Sequence, residues 1–493
     1  MSKKNQHKIL AAPSSKNSTL GLLLGPALFA LVYFLLSQTE LSYKGTVVLA
    51  MGAWMVAWWV TEAAPIPVTA LLPMILFPLF SVANAREAAA PYGDSIIFLF
   101  MGGFMIALGL EKHNLHQRIA LNLIRLTGTS GNGIIMGFMI STALISMWIS
   151  NTATAVMMLP IASSVTSLLA GEIAAEDKPK FDKFATGLML SIAYAASIGG
   201  IATIIGTPPN VVTVGFIKRF YDQDVSFATW MVIGIPLMLA ILAACYITIT
   251  QILYRNGLRS VEGSAELIGN KLKVLGALSS KEKRVLFIFG MTCFFWIFRQ
   301  KLNSLIGSNL LDDTTIAMTG GIFMFITPIK LKESKFILDW EDMKKLPWGI
   351  LLLFGGGLSL AQGMEDAGLV QIVGDQIAKQ GELSIGTLVV LLSGLSMGLT
   401  ELMSNVALTT IFIPVVLGIA EGLQINPIIL AMPVSFAASC AFMMPISTPP
   451  NAILFASGFI SVRQMMRAGV LLNLFSLILI SIAMLTIGLW LYG

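Results

Sequence analysis

Charge is what this chain is short of. Of its 493 residues only 12% are Asp, Glu, Lys or Arg, about half the share found in soluble domains. The longest polar interval, near 254–284, is too short to bury a core of its own, which excludes a soluble catalytic domain. Cysteine is scarce too. Cys245, Cys293 and Cys440 all stand in apolar stretches, with no CxxC and no disulfide framework. His113 and His116 share one polar connection with no further ligands around them, so no metal centre is expected there. No Ser-His, Cys-His or paired-carboxylate constellation points to an enzyme. The glycine triplet 355–357 lacks the following Lys-Ser/Thr of a phosphate loop and reads as a close-packing device. The net charge of +5 is spread over connections between apolar segments, a topology signal rather than a nucleic-acid footprint.

What the chain does have is apolar length, at 56% hydrophobic residues. Segments near 20–36, 45–62, 66–84, 95–110, 184–206, 228–253, 285–300, 314–328, 348–364, 428–446 and 469–492 reach or approach the roughly 20 residues of a spanning helix. Two further regions, 133–170 and 386–420, each carry a Ser-Asn pair at the middle and read as helix-turn-helix hairpins that enter the membrane and return. Paired full spans are the alternative, and neither reading changes the crossing parity. The expected fold is an all-α polytopic membrane protein with about eleven spans and two re-entrant hairpins. The first span follows a polar tail, 1–19, and no small-residue cleavage site follows it. With the N-terminus inside, 24 of the 31 Lys and Arg fall on the cytoplasmic side, so the positive-inside rule selects that orientation. Short loops suggest a bacterial inner membrane.

Five spans separate the hairpins, and five is odd, so the hairpins enter from opposite faces. Their sequences correspond: SNTATAVMMLP begins at Ser150 and SNVALTTIFIP at Ser404, 254 residues later. Leu99-Phe100-Met101-Gly102-Gly103 matches Leu353-Phe354-Gly355-Gly356-Gly357 at the same offset. Thr207-Pro208-Pro209-Asn210 matches Thr448-Pro449-Pro450-Asn451 at an offset of 241, each after an Ala-Ala-Ser (195–197 and 437–439). Three matches in one order make an inverted repeat, the internal symmetry of many secondary transporters.

Burying Ser and Asn in lipid without partners costs several kcal/mol, and this chain does it twice. A single such pair is usually a helix cap or an interhelical contact, but symmetric copies with TPPN partners point to one shared site. The paired prolines are expected to break their helices, leaving carbonyls that need cations or water. Each Ser-Asn pair should start the return arm of its hairpin and aim N–H groups and the positive dipole end at the site. No Lys, Arg or His lies in either motif pair. An anion held there needs compensating charge, and bound cations are its simplest source.

Ser146-x-x-x-Ser150-Asn151-Thr152, Thr400-Glu401 before Ser404-Asn405-Val406, both TPPN turns and the Phe-x-Gly-Gly segments resemble the divalent-anion/sodium symporter family. The resemblance covers nearly the whole chain after about residue 45, including SMWISNTATA and ASIGGIAT. It implies an elevator-type homodimer that moves dicarboxylates such as succinate, in some members citrate or sulfate, with sodium as coupling ion and no other cofactor. It implies scaffold helices in 20–132 and 254–385 and a mobile transport domain formed by 133–253 and 386–493. It implies one sodium among Ser146, Ser150, Asn151 and the backbone oxygen of Gly206. A second lies among Thr400, Asn405 and the backbone oxygens of Met403 and Ser447. Substrate carboxylates would meet Asn151-Thr152 and Asn405-Val406, with Thr207-Pro208 and Thr448-Pro449 closing the pocket.

Val406 departs from the threonine of many bacterial dicarboxylate members and is shared with citrate carriers. The missing hydroxyl is worth roughly 1–3 kcal/mol, with Thr409 and Thr410 one turn on as possible replacements. The function read from the chain is sodium-coupled symport of a C4-dicarboxylate. A carboxylate exchanger or citrate-preferring carrier of the same fold is the alternative, and an anion channel is the rival of another class. Glu401 reads as orienting backbone groups and Glu62 as structural or interfacial. The stretches 112–130 and 366–384 read as surface arms.

Overall fold

The computed structural model describes residues 15–172, 175–259, 261, 263–330, 335–369, 371–372 and 383–493. Among the described residues the regular structure is helical, apart from a two-stranded ribbon pairing Pro328–Lys330 with Lys335–Phe336. Among the described residues six helices are long and apolar enough to cross a membrane, and six shorter apolar ones accompany them. Serine starts many of them. Ser42, Ser130, Ser226, Ser279, Ser384 and Ser461 each accept a backbone N–H of the first turn, satisfying one donor that would otherwise be orphaned in an apolar medium.

The chain divides into two compact units. The smaller comprises Met1–Asp94 and Trp348–Lys379. Here Ser15–Leu36 packs along Tyr43–Thr61, with Trp58 Nε1 donating to the Leu22 carbonyl at 3.2 Å. The expected span at 66–84 is two short helices, Ile66–Thr69 and Leu72–Leu79: Pro73 has no N–H to give the Thr69 carbonyl across the break, and it opens the second helix instead. The Ala70 carbonyl at the break accepts from Tyr92 Oη at 2.5 Å. Glycine at 355 and 356 lets Trp348–Asp366 lie against this break: a Cβ on Gly356 would meet Ala70, and one on Gly355 would meet Tyr92. Glu62 is exposed in a left-handed cap after the second helix. The expected tail 1–19 lies outside the described residues up to position 14. Of the expected arm 366–384, positions 370 and 373–382 lie outside them as well.

The larger unit comprises Ser95–Pro347 and Gln380–Gly493 and holds both hairpins. Ser95–Lys112 lies along Asp313–Ile326, and a Cβ on Gly102 would run into the Ala317 backbone. The Phe-x-Gly-Gly segment at 100–103 therefore serves close packing as that at 354–357 does. The expected arm at 112–130 contains an amphipathic helix, Leu115–Leu126, that packs on the first hairpin. Its Arg118 meets the Glu282 carboxylate at 2.6 Å and the carbonyls that end Ser264–Leu275. The first hairpin is Gly131–Ser146 and Asn151–Glu172. The second is Ile385–Thr400 and Asn405–Gly422.

Candidate functional site

Both hairpins turn within four residues, and in both the asparagine is the first residue of the return arm. The first N–H groups of such an arm lack intrahelical partners and carry its positive dipole end. Ser150 Oγ takes the Ala153 N–H at 3.2 Å, so this hydroxyl caps the return arm.

Behind each tip lies a knot of oxygens. In the first half, Ser146 Oγ sits 2.6 Å from the Asn151 side-chain amide and donates to the Ala196 carbonyl at 2.7 Å. With its oxygen turned inward, the Asn151 amide meets only other oxygens. Turned over, its nitrogen donates to Ser146 Oγ at 2.6 Å, Ala196 O at 3.1 Å and Gly206 O at 3.3 Å. A hard cation among these oxygens would select the first orientation, and without one the second satisfies every atom. In the second half, Thr400 Oγ1 lies 2.8 Å from Asn405 Oδ1 and 2.7 Å from the Ala438 carbonyl, two acceptors that share its single proton. Ser146 corresponds to Thr400, Asn151 to Asn405 and Ala196 to Ala438. Two chemically equivalent clusters thus arise from the repeat.

The prolines act differently from expectation. They do not break a helix; they start one. Lys178–Gly200 and Pro427–Ala438 have already ended, and the chain runs irregularly to Thr207 and Thr448. Pro208-Pro209 and Pro449-Pro450 then open Pro208–Tyr221 and Pro449–Phe455, where a missing N–H costs nothing. The span expected at 428–446 is accordingly a 12-residue helix followed by this loop. The TPPN asparagines hold the loops: Asn210 Nδ2 donates to Gly200 O at 3.0 Å and Thr203 O at 2.8 Å. Asn451 Nδ2 donates to Ala441 O and Met444 O, both at 3.0 Å.

The halves cross over. The return arm of the first hairpin packs on Pro449–Phe455, and that of the second packs on Pro208–Tyr221. Ser435 Oγ reaches Asn210 Oδ1 at 3.3 Å, and Tyr221 Oη donates to Leu417 O at 2.8 Å across the same seam. All four motifs therefore belong to one assembly. Within it Thr152 and Pro449 are exposed, Asn151, Pro208, Asn405 and Val406 half-buried, and Thr207 and Thr448 buried. Thr409 and Thr410 donate to carbonyls of their own helix, at Asn405 and Val406, and are buried. They do not replace the hydroxyl that Val406 lacks.

Glu401 is 3% exposed, and its carboxylate accepts from five groups. These are the N–H groups of Phe442, Met443 and Met444 at 2.8–3.2 Å, Ser447 Oγ at 2.8 Å and Asn473 Nδ2 at 2.9 Å. It braces the irregular loop and through Ser447 ties it to the hairpin. Met403 stays at the hairpin tip, its N–H on Leu399 O at 3.2 Å, and Ser447 is joined to residue 401 rather than to Asn405. The Ala196 and Ala438 carbonyls, which the sequence did not single out, belong to the two clusters, and the repeated Ala-Ala-Ser marks where they fall. His113 and His116 each face one carbonyl, Ile337 O at 2.9 Å and Leu110 O at 3.0 Å.

Residues 16–493 match the family model for the sodium:sulfate symporter transmembrane region. The chain is 41% identical over 465 residues to the sodium-dependent dicarboxylate transporter SdcS of Staphylococcus saprophyticus, covering 94% of this chain and 89% of that one. It is 39% identical over 471 residues to SdcS of Staphylococcus aureus strain NCTC 8325, covering 95% and 91%. Among solved structures it is similar in fold to the YdaH transporter of Alcanivorax borkumensis, with TM-score 0.58, 13% identity and 91% and 99% of the two chains covered. MtrF of Neisseria gonorrhoeae is similar too, with TM-score 0.55, 10% identity and 92% and 96% covered.

Proposed function

Within the sodium:sulfate symporter family, to which this chain belongs, we propose that it carries a C4-dicarboxylate, such as succinate, malate or fumarate, together with sodium. The observation that carries this reading is the duplicated oxygen cluster behind two helix N-termini: Ser146, Asn151 and Ala196 O, repeated as Thr400, Asn405 and Ala438 O. Clustered hydroxyl, amide and carbonyl oxygens suit a hard cation, and the adjoining N-termini suit the two carboxylates of an anion. Ser150, Gly206, Met403 and Ser447 complete the proposed sodium shells through side-chain or backbone oxygens. Asn151-Thr152 and Asn405-Val406 contact substrate, with Thr207-Pro208 and Thr448-Pro449 around it. The names of the SdcS relatives agree with both cargo classes.

The charge arithmetic gives sodium its role. Bringing a dianion inward against 100 mV costs about 4.6 kcal/mol, twice the 2.3 per charge. Two sodium ions cancel that cost, and any further sodium makes import potential-driven. Movement is by an elevator: the hairpin-bearing 133–253 and 386–493 slide against a scaffold of 20–132 and 254–385. The chain works as a homodimer in a bacterial inner membrane with its N-terminus cytoplasmic.

Radiolabelled succinate uptake into proteoliposomes tests this. A sodium gradient should drive saturable uptake, potassium should not replace it, and Asn151→Ala and Asn405→Ala should each abolish it. Sodium-indifferent uptake stimulated by internal succinate makes the protein an exchanger. Uptake that does not saturate makes it a channel, and citrate transport with little succinate makes it a citrate carrier.

A further inference from the structure

Away from the transport site, a cavity of about 640 Å³ lies between Ser280–Ile306 and Asp313–Ile326. Its floor includes Ile288 and Ile316, and its rim carries the exposed rings of Phe287 and Phe323. The two helices are consecutive, so Ser280 and Thr327 line one end while Phe295 and Leu311 line the other. From residue 280 to 295 the trough runs about 22 Å at helical rise, longer than the ~15 Å hydrocarbon depth of one leaflet.

Its polarity is lopsided. Lys283 and Arg284 line the Ser280 end, where the basic 255–284 connection meets the first turn of the helix. Neither pairs with an acid among the described residues, because the intervening Glu282 is taken by Arg118. Beyond Ser280 at that same end, the rest of the lining is apolar or threonine. A trough that is cationic at headgroup depth and apolar along one leaflet matches an amphiphile with an anionic head. A second copy of this chain fits less well. A two-fold axis along the membrane normal through the trough would set Lys283 and Arg284 against their own copies at equal depth.

We propose that this trough is a binding site for an anionic phospholipid, with an acyl chain along the trough and the phosphate at Lys283 and Arg284. Native mass spectrometry of the full chain in mild detergent tests it, with added phosphatidylglycerol or phosphatidylcholine of identical chains. Wild type should retain phosphatidylglycerol preferentially. Lys283→Gln with Arg284→Gln should cut that retention by roughly tenfold or more and leave phosphatidylcholine unchanged. Thr319→Trp, which fills the trough, should reduce retention of both lipids without changing the oligomeric mass. Equal retention of both lipids in wild type, or indifference to the double substitution, overturns the proposal. A shift from dimer to monomer in Thr319→Trp also overturns it, by assigning the trough to a second copy.

Discussion

The two halves of the site make the same oxygen cluster and support it by different means. In the first half the loop 201–207 is built on glycine. A Cβ at Gly200 would stand 2.9 Å from the Asn151 amide, and one at Gly206 would meet Gly200 O at 2.6 Å. Besides the Asn151 amide at Gly206 O, Thr203 Oγ1 ties the loop to the hairpin turn by donating to Met147 O at 2.5 Å, with Trp230 Nε1 on Ile201 O behind. In the second half the counterparts of Gly200 and Gly206 are Ala441 and Ser447, which carry side chains, and the counterpart of Met147 is Glu401. A buried carboxylate gathers three loop N–H groups there. Duplication fixed where the oxygens converge, and each copy then solved the support of an irregular loop separately: by close approach in one, by a charge in the other.

Isosteric changes at the corresponding positions 147 and 401 should break the comparison most sharply. Glu401→Gln puts amide hydrogens among N–H donors and should cost about 3 kcal/mol or more. Met147→Leu conserves volume and should cost less than about 1.5 kcal/mol. Thermal unfolding in detergent reads both, and equal shifts would erase the distinction. Gly200→Ala comes next. It should raise the half-saturating sodium concentration for uptake by roughly tenfold, since displacing the Asn151 amide costs about 1–2 kcal/mol of close-packed strain. Ala441→Gly in the other half should move it little.

Val406→Thr restores the side chain that Thr152 supplies in the first half. The succinate-to-citrate uptake ratio should rise by roughly five- to tenfold, at the low end of a hydrogen bond to a charged group. The smallest effect concerns pH and belongs to the first half's connection. Burial holds His113 and His116 below the ordinary histidine range, despite a carbonyl facing each. The folded protein therefore binds these protons less readily than the unfolded chain. Stability should be flat above about pH 6.5 and fall as pH drops below it. Replacing both by Gln should flatten the decline between about pH 6.5 and 5, as melting temperature against pH would reveal.

Much of this organisation was legible in the chain because polar residues in apolar runs are expensive and therefore informative. Ser150-Asn151 and Ser404-Asn405 mark both hairpin turns to the residue, and the TPPN repeats mark both loops. Backbone carbonyls carry no such signal: any residue at 196 or 438 would present one, so their place in the clusters emerges only from the fold. The prolines misled for a related reason. Two adjacent prolines are equally compatible with ending a helix and with opening one, and the choice depends on where the preceding helix stops. Glu401 was legible as an orienting group, but its partners lie 41 or more residues away, beyond any local pattern.

Sodium activation of succinate uptake in Ser146→Ala, Thr400→Ala and the double variant tests the equivalence of the two clusters most directly. Each single variant should need more sodium for half-maximal uptake and respond to it less steeply, and the double variant should lose sodium dependence along with uptake. Unchanged sodium activation in either single variant would contradict the account, because that half's oxygens would then hold no coupling ion.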